Sequence, residues 1–128
     1  MDLNRDESLK QLRPEIPRID PAAATNPAEQ FQNKTLRPIL KLQNALLVEA
    51  FHHYFNKRKK VFYGLSKSKK KGYIEQALQK DLNFRNRVIG LICGHFSIEE
   101  WREYVSMENE LSRRLITMSM ERMKDQLV

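Results

Sequence analysis

The sequence predicts an all-α protein: a four-helix-bundle-like set of two long and two short helices behind an extended, proline-rich N-terminal arm. The pattern is helical from residue 28 onward, with apolar residues recurring at three- and four-residue spacing, and no segment shows the strict alternation of a strand. Only four glycines occur in 128 residues, too few for a strand-rich fold with many tight turns. Four of the five prolines (Pro14, Pro17, Pro21, Pro27) lie in the first 27 residues, where they remove backbone donors and fix φ.

The chain divides accordingly into an arm, residues 1–30, and one helical domain, residues 31–128. No helix or central strand runs through 14–21, so the arm is expected to be extended, with Leu9, Leu12, Ile16 and Ile19 able to dock on the bundle or a neighbour. Asn33 and Thr35 are candidate caps of the first long helix, and Pro38 is expected in its first turn, where a missing N–H costs little. Leu36, Leu40, Gln43, Leu47, Phe51 and Tyr54 mark one face of it to about Lys60, and Gly64 is expected to break it. Ser66 or Ser68 caps a second helix over 67–80, whose apolar positions are Tyr73, Ile74, Ala77 and Leu78. Asp81 caps a third, with Phe84, Val88, Leu91, Ile92 and His95 on one face. Ser97-Ile-Glu-Glu100 reads as a capping box opening a last helix that runs without Pro or Gly to about Leu127.

At about 1.5 Å per residue the first helix is ~37 Å long and the last ~45 Å. Short connections make successive helices antiparallel neighbours. The last helix carries two apolar stripes: Trp101, Tyr104, Leu111, Leu115 and Met118, then Ile98, Val105, Ile116, Met123 and Leu127. Such breadth suits either a central helix or one shared with a second copy, so a homodimer through helix 98–127 is an open expectation. Met107, Met118, Met120 and Met123 suit both.

The single cysteine excludes an internal disulfide, and the longest apolar run, Val88–Gly94, is far short of a membrane span. The first ten residues mix both charges and lack the apolar core of a secretory leader, so the expected location is the cytoplasm, with no membrane partner. Net charge is +7. Lys57, Arg58, Lys59, Lys60, Lys67, Lys69, Lys70 and Lys71 lie within sixteen residues that hold no acid, while the rest of the chain carries 15 basic against 16 acidic residues. The first four stand at a helix C-terminus, where cations are favoured; the others stand at an N-terminus, where they are not unless an anion completes the site. Phe62 and Tyr63 between the halves could stack on a base.

Glu49-Ala-Phe-His52 has the Glu-x-x-His spacing of di-iron bundles, but in one copy and roughly opposite the apolar stripe, so no metal is expected there. His53 flanks the stripe. His95, on the apolar face of the third helix, and Glu108, inside the Trp101–Leu115 stripe, form the one candidate acid/base pair, with a structural polar pair as the other reading. Cys93 reads as a buried, inert thiol. Gly90-x-x-x-Gly94 signals a close helix approach. No nucleotide-binding loop or nucleophile elbow occurs, and no cofactor is expected.

Phe31-Gln-Asn-Lys-Thr-Leu-Arg-Pro-Ile-Leu-Lys-Leu-Gln-Asn44, Ala77-Leu-Gln-Lys-Asp81 with Phe84-Arg-Asn86, Gly94-His-Phe96 and Leu12-Arg-Pro-Glu-Ile-Pro17 resemble a small uncharacterised bacterial family. Some of its members carry the label glyoxalase. That label implies a βαβββ metal-binding fold with His, Gln and Glu ligands on strands, a pattern from which this helical sequence departs. The expected function is a non-enzymatic interaction module that binds an anionic partner (nucleic acid, phosphorylated ligand or acidic protein) through the Lys57–Lys71 tip. The alternatives are a small enzyme or ligand-binding protein with a pocket around His95 and Glu108, and a regulatory subunit docking through the arm.

Overall fold

The computed structural model describes residues 4–16 and 26–128, and these are helical without a strand among them. Pro17, Ile19 and Pro21 lie outside the described residues. No helix among the described residues is long and apolar enough to cross a membrane.

The arm is not simply extended. Arg5–Leu12 forms α1, capped by the Asn4 side chain, which accepts from the Glu7 N–H. This helix fully buries no residue; of the expected apolar residues Leu12 is exposed, Leu9 and Ile16 are half-buried, and Ile19 lies outside the described residues. The next helix starts earlier than expected. Asn26 caps α2 (Pro27–Phe31), with Pro27 in the first turn and Glu29 at the third position. Asn33 and Thr35 therefore lie inside the rod, not at its start.

Pro38 sits past that first turn, and the backbone adapts around it. Gln32–Leu36 is π-helical, the Arg37 N–H reaching back to the Gln32 carbonyl, before α3 (Arg37–Leu42) resumes. One extra residue per turn lets a proline, which has no N–H to give, stand within a long rod. A slight unwinding at Gln43 leads into α4 (Asn44–Lys57), whose Leu47, Phe51, Tyr54 and Phe55 are buried.

The break after α4 comes at Lys59 and Lys60, both left-handed with φ 58°, and not at Gly64. A short 3-10 turn, Val61–Gly64, follows. Helix α5 (Lys67–Lys80) is capped by Ser66, and α6 (Leu82–Cys93) by Asp81. A Cβ at Gly90 would meet nothing within 4 Å, so the Gly-x-x-x-Gly spacing marks no helix crossing.

The last long helix is two. The Ser97–Glu100 capping box opens α7 (Ile98–Ser106), which ends at Met107 with φ −132° and ψ 35°. Helix α8 (Glu108–Leu127) then begins with Glu108 and Glu110, the charges that a helix N-terminus favours. The break cuts both stripes: their α8 members Leu111, Leu115, Ile116 and Met123 are buried, while on α7 Tyr104 is buried but Ile98, Trp101 and Val105 stay exposed. Helix α8 packs against the π-helical segment, α4, α5, α6 and α7, so its wide apolar surface is used within its own chain. The large exposed hydrophobic residues of segment 98–127 are Ile98, Trp101 and Val105, all on α7.

Two aromatic groups brace the ends of the core. Phe31, Phe96 and Tyr104 meet near the arm, with Phe31 edge-on to Phe96 at 5.5 Å. Phe51, Phe55, Phe62 and Phe84 gather under the basic tip, with Phe55 and Phe62 stacked at 3.8 Å.

Candidate functional site

The eight basic residues between 57 and 71 converge on one turn and the helix ends that flank it. Lys57 closes α4, Arg58 to Lys60 make the turn, and Lys67, Lys69, Lys70 and Lys71 fill the first turns of α5. Phe62 is buried against Phe55 and fastens the turn to the core. Backbone bonds from the Arg58 and Lys60 N–H groups to the Phe55 carbonyl close it. Left-handed φ costs a non-glycine residue about 1 kcal/mol, so placing two lysines there works against stability.

Among the described residues only Arg58 of the eight finds an acid. Its guanidinium lies 2.8 Å from the Asp81 carboxylate and 3.5 Å above the Tyr54 ring. Asp81 also accepts from the Phe84 N–H, and that bond, with Tyr54 and Arg58, holds its carboxyl below the usual range despite partial burial. Burial pushes the Tyr54 hydroxyl up to about 12, Arg58 opposing and Asp81 reinforcing the shift. Among the described residues the seven lysines have no ion-pair partner; Lys70 lies 5.5 Å over the Phe62 ring. Val61 and Tyr63 are exposed between them. The Tyr63 hydroxyl is 2.8 Å from His52 Nδ1, which occupies the histidine of the Glu-x-x-His spacing, and Glu49 is exposed. His53 is exposed beside the Arg58–Asp81 pair.

The second sequence candidate is arranged differently. His95 stands in the turn after α6, and Glu108 is exposed at the first position of α8, not buried in the stripe. Glu108 lines a shallow cavity at the start of α8 with Val105, Met107 and Glu110, and His95 is not among its lining residues. Burial, then Arg13 and Arg5, lowers the pKa of His95, and its Nδ1 is buried without a hydrogen-bond partner. Cys93 is half-buried, and burial pushes its thiol up to about 11.

The buried carboxylate near this corner is Glu100. Arg13 donates two hydrogen bonds to it at 2.8 and 2.6 Å, Thr35 a third at 3.2 Å, and the Ser97 N–H a fourth at 2.8 Å. Burial resists its ionisation, but the bonds from Arg13, Ser97 and Thr35 prevail and bring its pKa down to about 2. Arg13 also donates to the His95 carbonyl, and Arg5 to those of Phe96 and Gly94. The Asp6 carboxylate accepts the Ile98 N–H at the start of α7. The arm thus fastens the α6–α7 turn by charge. Glu100 was visible in the sequence as a capping residue; its distant partner Arg13, in a proline-rich arm, carried no such signal.

No family model, curated protein or solved structure matches the chain. Of the family resemblance, what stands is a small, all-helical protein.

Proposed function

We propose that the tip docks on the phosphate backbone of a nucleic acid, binding without reading base sequence. The observation that carries this is the set of seven unpaired lysines around one turn, two of them held in a left-handed conformation. Residues kept in costly backbone states are expected where they serve a site. Each lysine that meets a phosphate releases a counterion, so affinity comes from charge and falls steeply with salt. Exposed Tyr63 gives a base a face to stack on. The one guanidinium of the tip, Arg58, is engaged by Asp81, and lysines are point charges that meet phosphates without selecting bases.

The test is anisotropy with a labelled 20-nucleotide DNA and RNA, single- and double-stranded, from 25 to 200 mM salt. Wild type is expected to bind with a log–log salt slope of about −4, and K69E/K70E/K71E to lose binding at low salt while keeping its melting temperature. No binding by wild type at 25 mM salt would reject the reading. Equal affinity for poly-glutamate would reassign the tip to an acidic polypeptide.

A further inference from the structure

A second cationic surface lies away from the tip. It is an open groove of about 700 Å³ between α8 and the rod of the π-helical segment and α3, lined by Arg37, Arg113, Arg114 and Arg122 with Glu121 and Asp125. Small-molecule sites fall in this size range. Asn44 stands at the groove's end and opens α4, whose other end, Lys57, is ~20 Å away along the helix.

The arginines here are half-buried, except Arg113, and are held mainly by neutral groups. Arg37 Nε donates to the Asn33 side-chain carbonyl at 2.9 Å, and Arg122 to that of Asn44 at 3.3 Å. Arg114 donates to Gln32 at 2.8 Å and pairs with Glu110 at 3.1 Å. Among the described residues neither Arg37 nor Arg122 has a carboxylate within ion-pair distance, although Glu121 and Asp125 line the same groove. Burial, and then the charge of Arg37, lowers the pKa of Arg122, so the two guanidiniums press on each other. Bringing like charges together with amide carbonyls as their anchors costs stability and leaves donors facing the groove. The π-helical segment that accommodates Pro38 forms part of the groove wall through Gln32, and such segments are frequent at functional sites.

We propose that this groove binds the oxyanion group, phosphate or carboxylate, of a small metabolite, with Arg37 and Arg122 as the gripping pair and Arg114 alongside. A guanidinium offers planar paired donors that match either oxyanion. The bound anion supplies the negative charge that the groove's own carboxylates do not bring to Arg37 and Arg122.

The experiment compares 10 mM inorganic phosphate and 10 mM succinate with sodium chloride of equal ionic strength. It reads melting temperature and the arginine Nε–H resonances in wild type, R37Q, R122Q and K69E/K70E/K71E. For a dissociation constant of about 1 mM, the preferred oxyanion is expected to raise the wild-type melting temperature by about 4 °C and to move the Arg37 and Arg122 resonances. Both responses are expected to vanish in R37Q and R122Q and to survive in K69E/K70E/K71E. The larger of the two responses says whether phosphate or carboxylate is the ligand chemistry. A wild-type response no larger than chloride's, its persistence in both glutamine variants, or its loss in the lysine variant would each overturn the site. Should R122Q not fold, R37Q and the wild-type resonances decide.

Discussion

Glu100 joins three parts of the chain that are far apart in sequence. Its carboxylate caps α7 through Ser97, takes a bond from Thr35 in the π-helical segment, and pairs with Arg13 from the arm. The capping role was readable from Ser97-x-x-Glu100, because a box is written in four adjacent residues. The pairing was not, since nothing local distinguishes Arg13 from any other arginine. Glu108 was the sequence's choice for a buried carboxylate because it falls inside the Trp101–Leu115 stripe of what reads as one helix; the break at Met107 leaves it exposed. A depressed carboxyl pKa has a definite sign in stability. Glu100 ionises at about 2 when folded and near 4.5 when free, so its contribution is full above 4.5 and is lost as pH falls toward 2. That loss is on the order of 3 kcal/mol. His95 acts in the same direction, because its lowered folded pKa makes the unfolded chain take up the proton first as pH falls through 6.5. Urea unfolding at pH 7 and pH 3 is expected to show a smaller acid loss in Glu100→Gln than in wild type; equal losses would remove Glu100 as the cause.

Interruptions, more than helices, separate the elements that were expected from those that formed. Helices α5 and α6 match because each has a cap in its own sequence, Ser66 and Asp81. The Asn26-Pro27 start of α2 was equally legible, as an N-cap followed by a first-turn proline, but the nearby prolines drew it into the arm. The π-helical segment, the left-handed turn and the break at Met107 have weaker local signals, and packing decides among several backbone paths of similar cost. At the turn the cost is specific. Lys60→Gly is expected to raise stability by about 0.5–1 kcal/mol, since glycine adopts φ 58° without penalty, and to reduce the salt slope of nucleic-acid binding by about one. Thermal unfolding and the anisotropy titration measure the two effects separately. A less stable variant would show that Lys60 is not strained.

The molecule as a whole ties its charged end to its core through one ring. Phe62 belongs to the basic turn yet is buried against Phe55, so the tip's shape depends on the helices packed beneath it. Phe62→Ala is expected to cost about 3–5 kcal/mol and to weaken nucleic-acid binding with every lysine still present. Unchanged binding in a folded variant would mean that charge alone, and not its arrangement, serves the tip. The sequence by itself determined the all-helical class, the caps of α5, α6 and α7, and the concentration of positive charge between residues 57 and 71. These depend on residues within a few positions of one another, where periodicity, hydrogen-bonding side chains and charge counting act directly. Only the tertiary structure decided that the arm is fastened to the α6–α7 turn by Arg5, Asp6 and Arg13, that α8 is central within its own chain, and that Arg37 and Arg122 share a groove. The arm contacts and the Arg37–Arg122 pairing join residues more than eighty apart, and the energy of all three arrangements exists only once packing has placed the partners side by side.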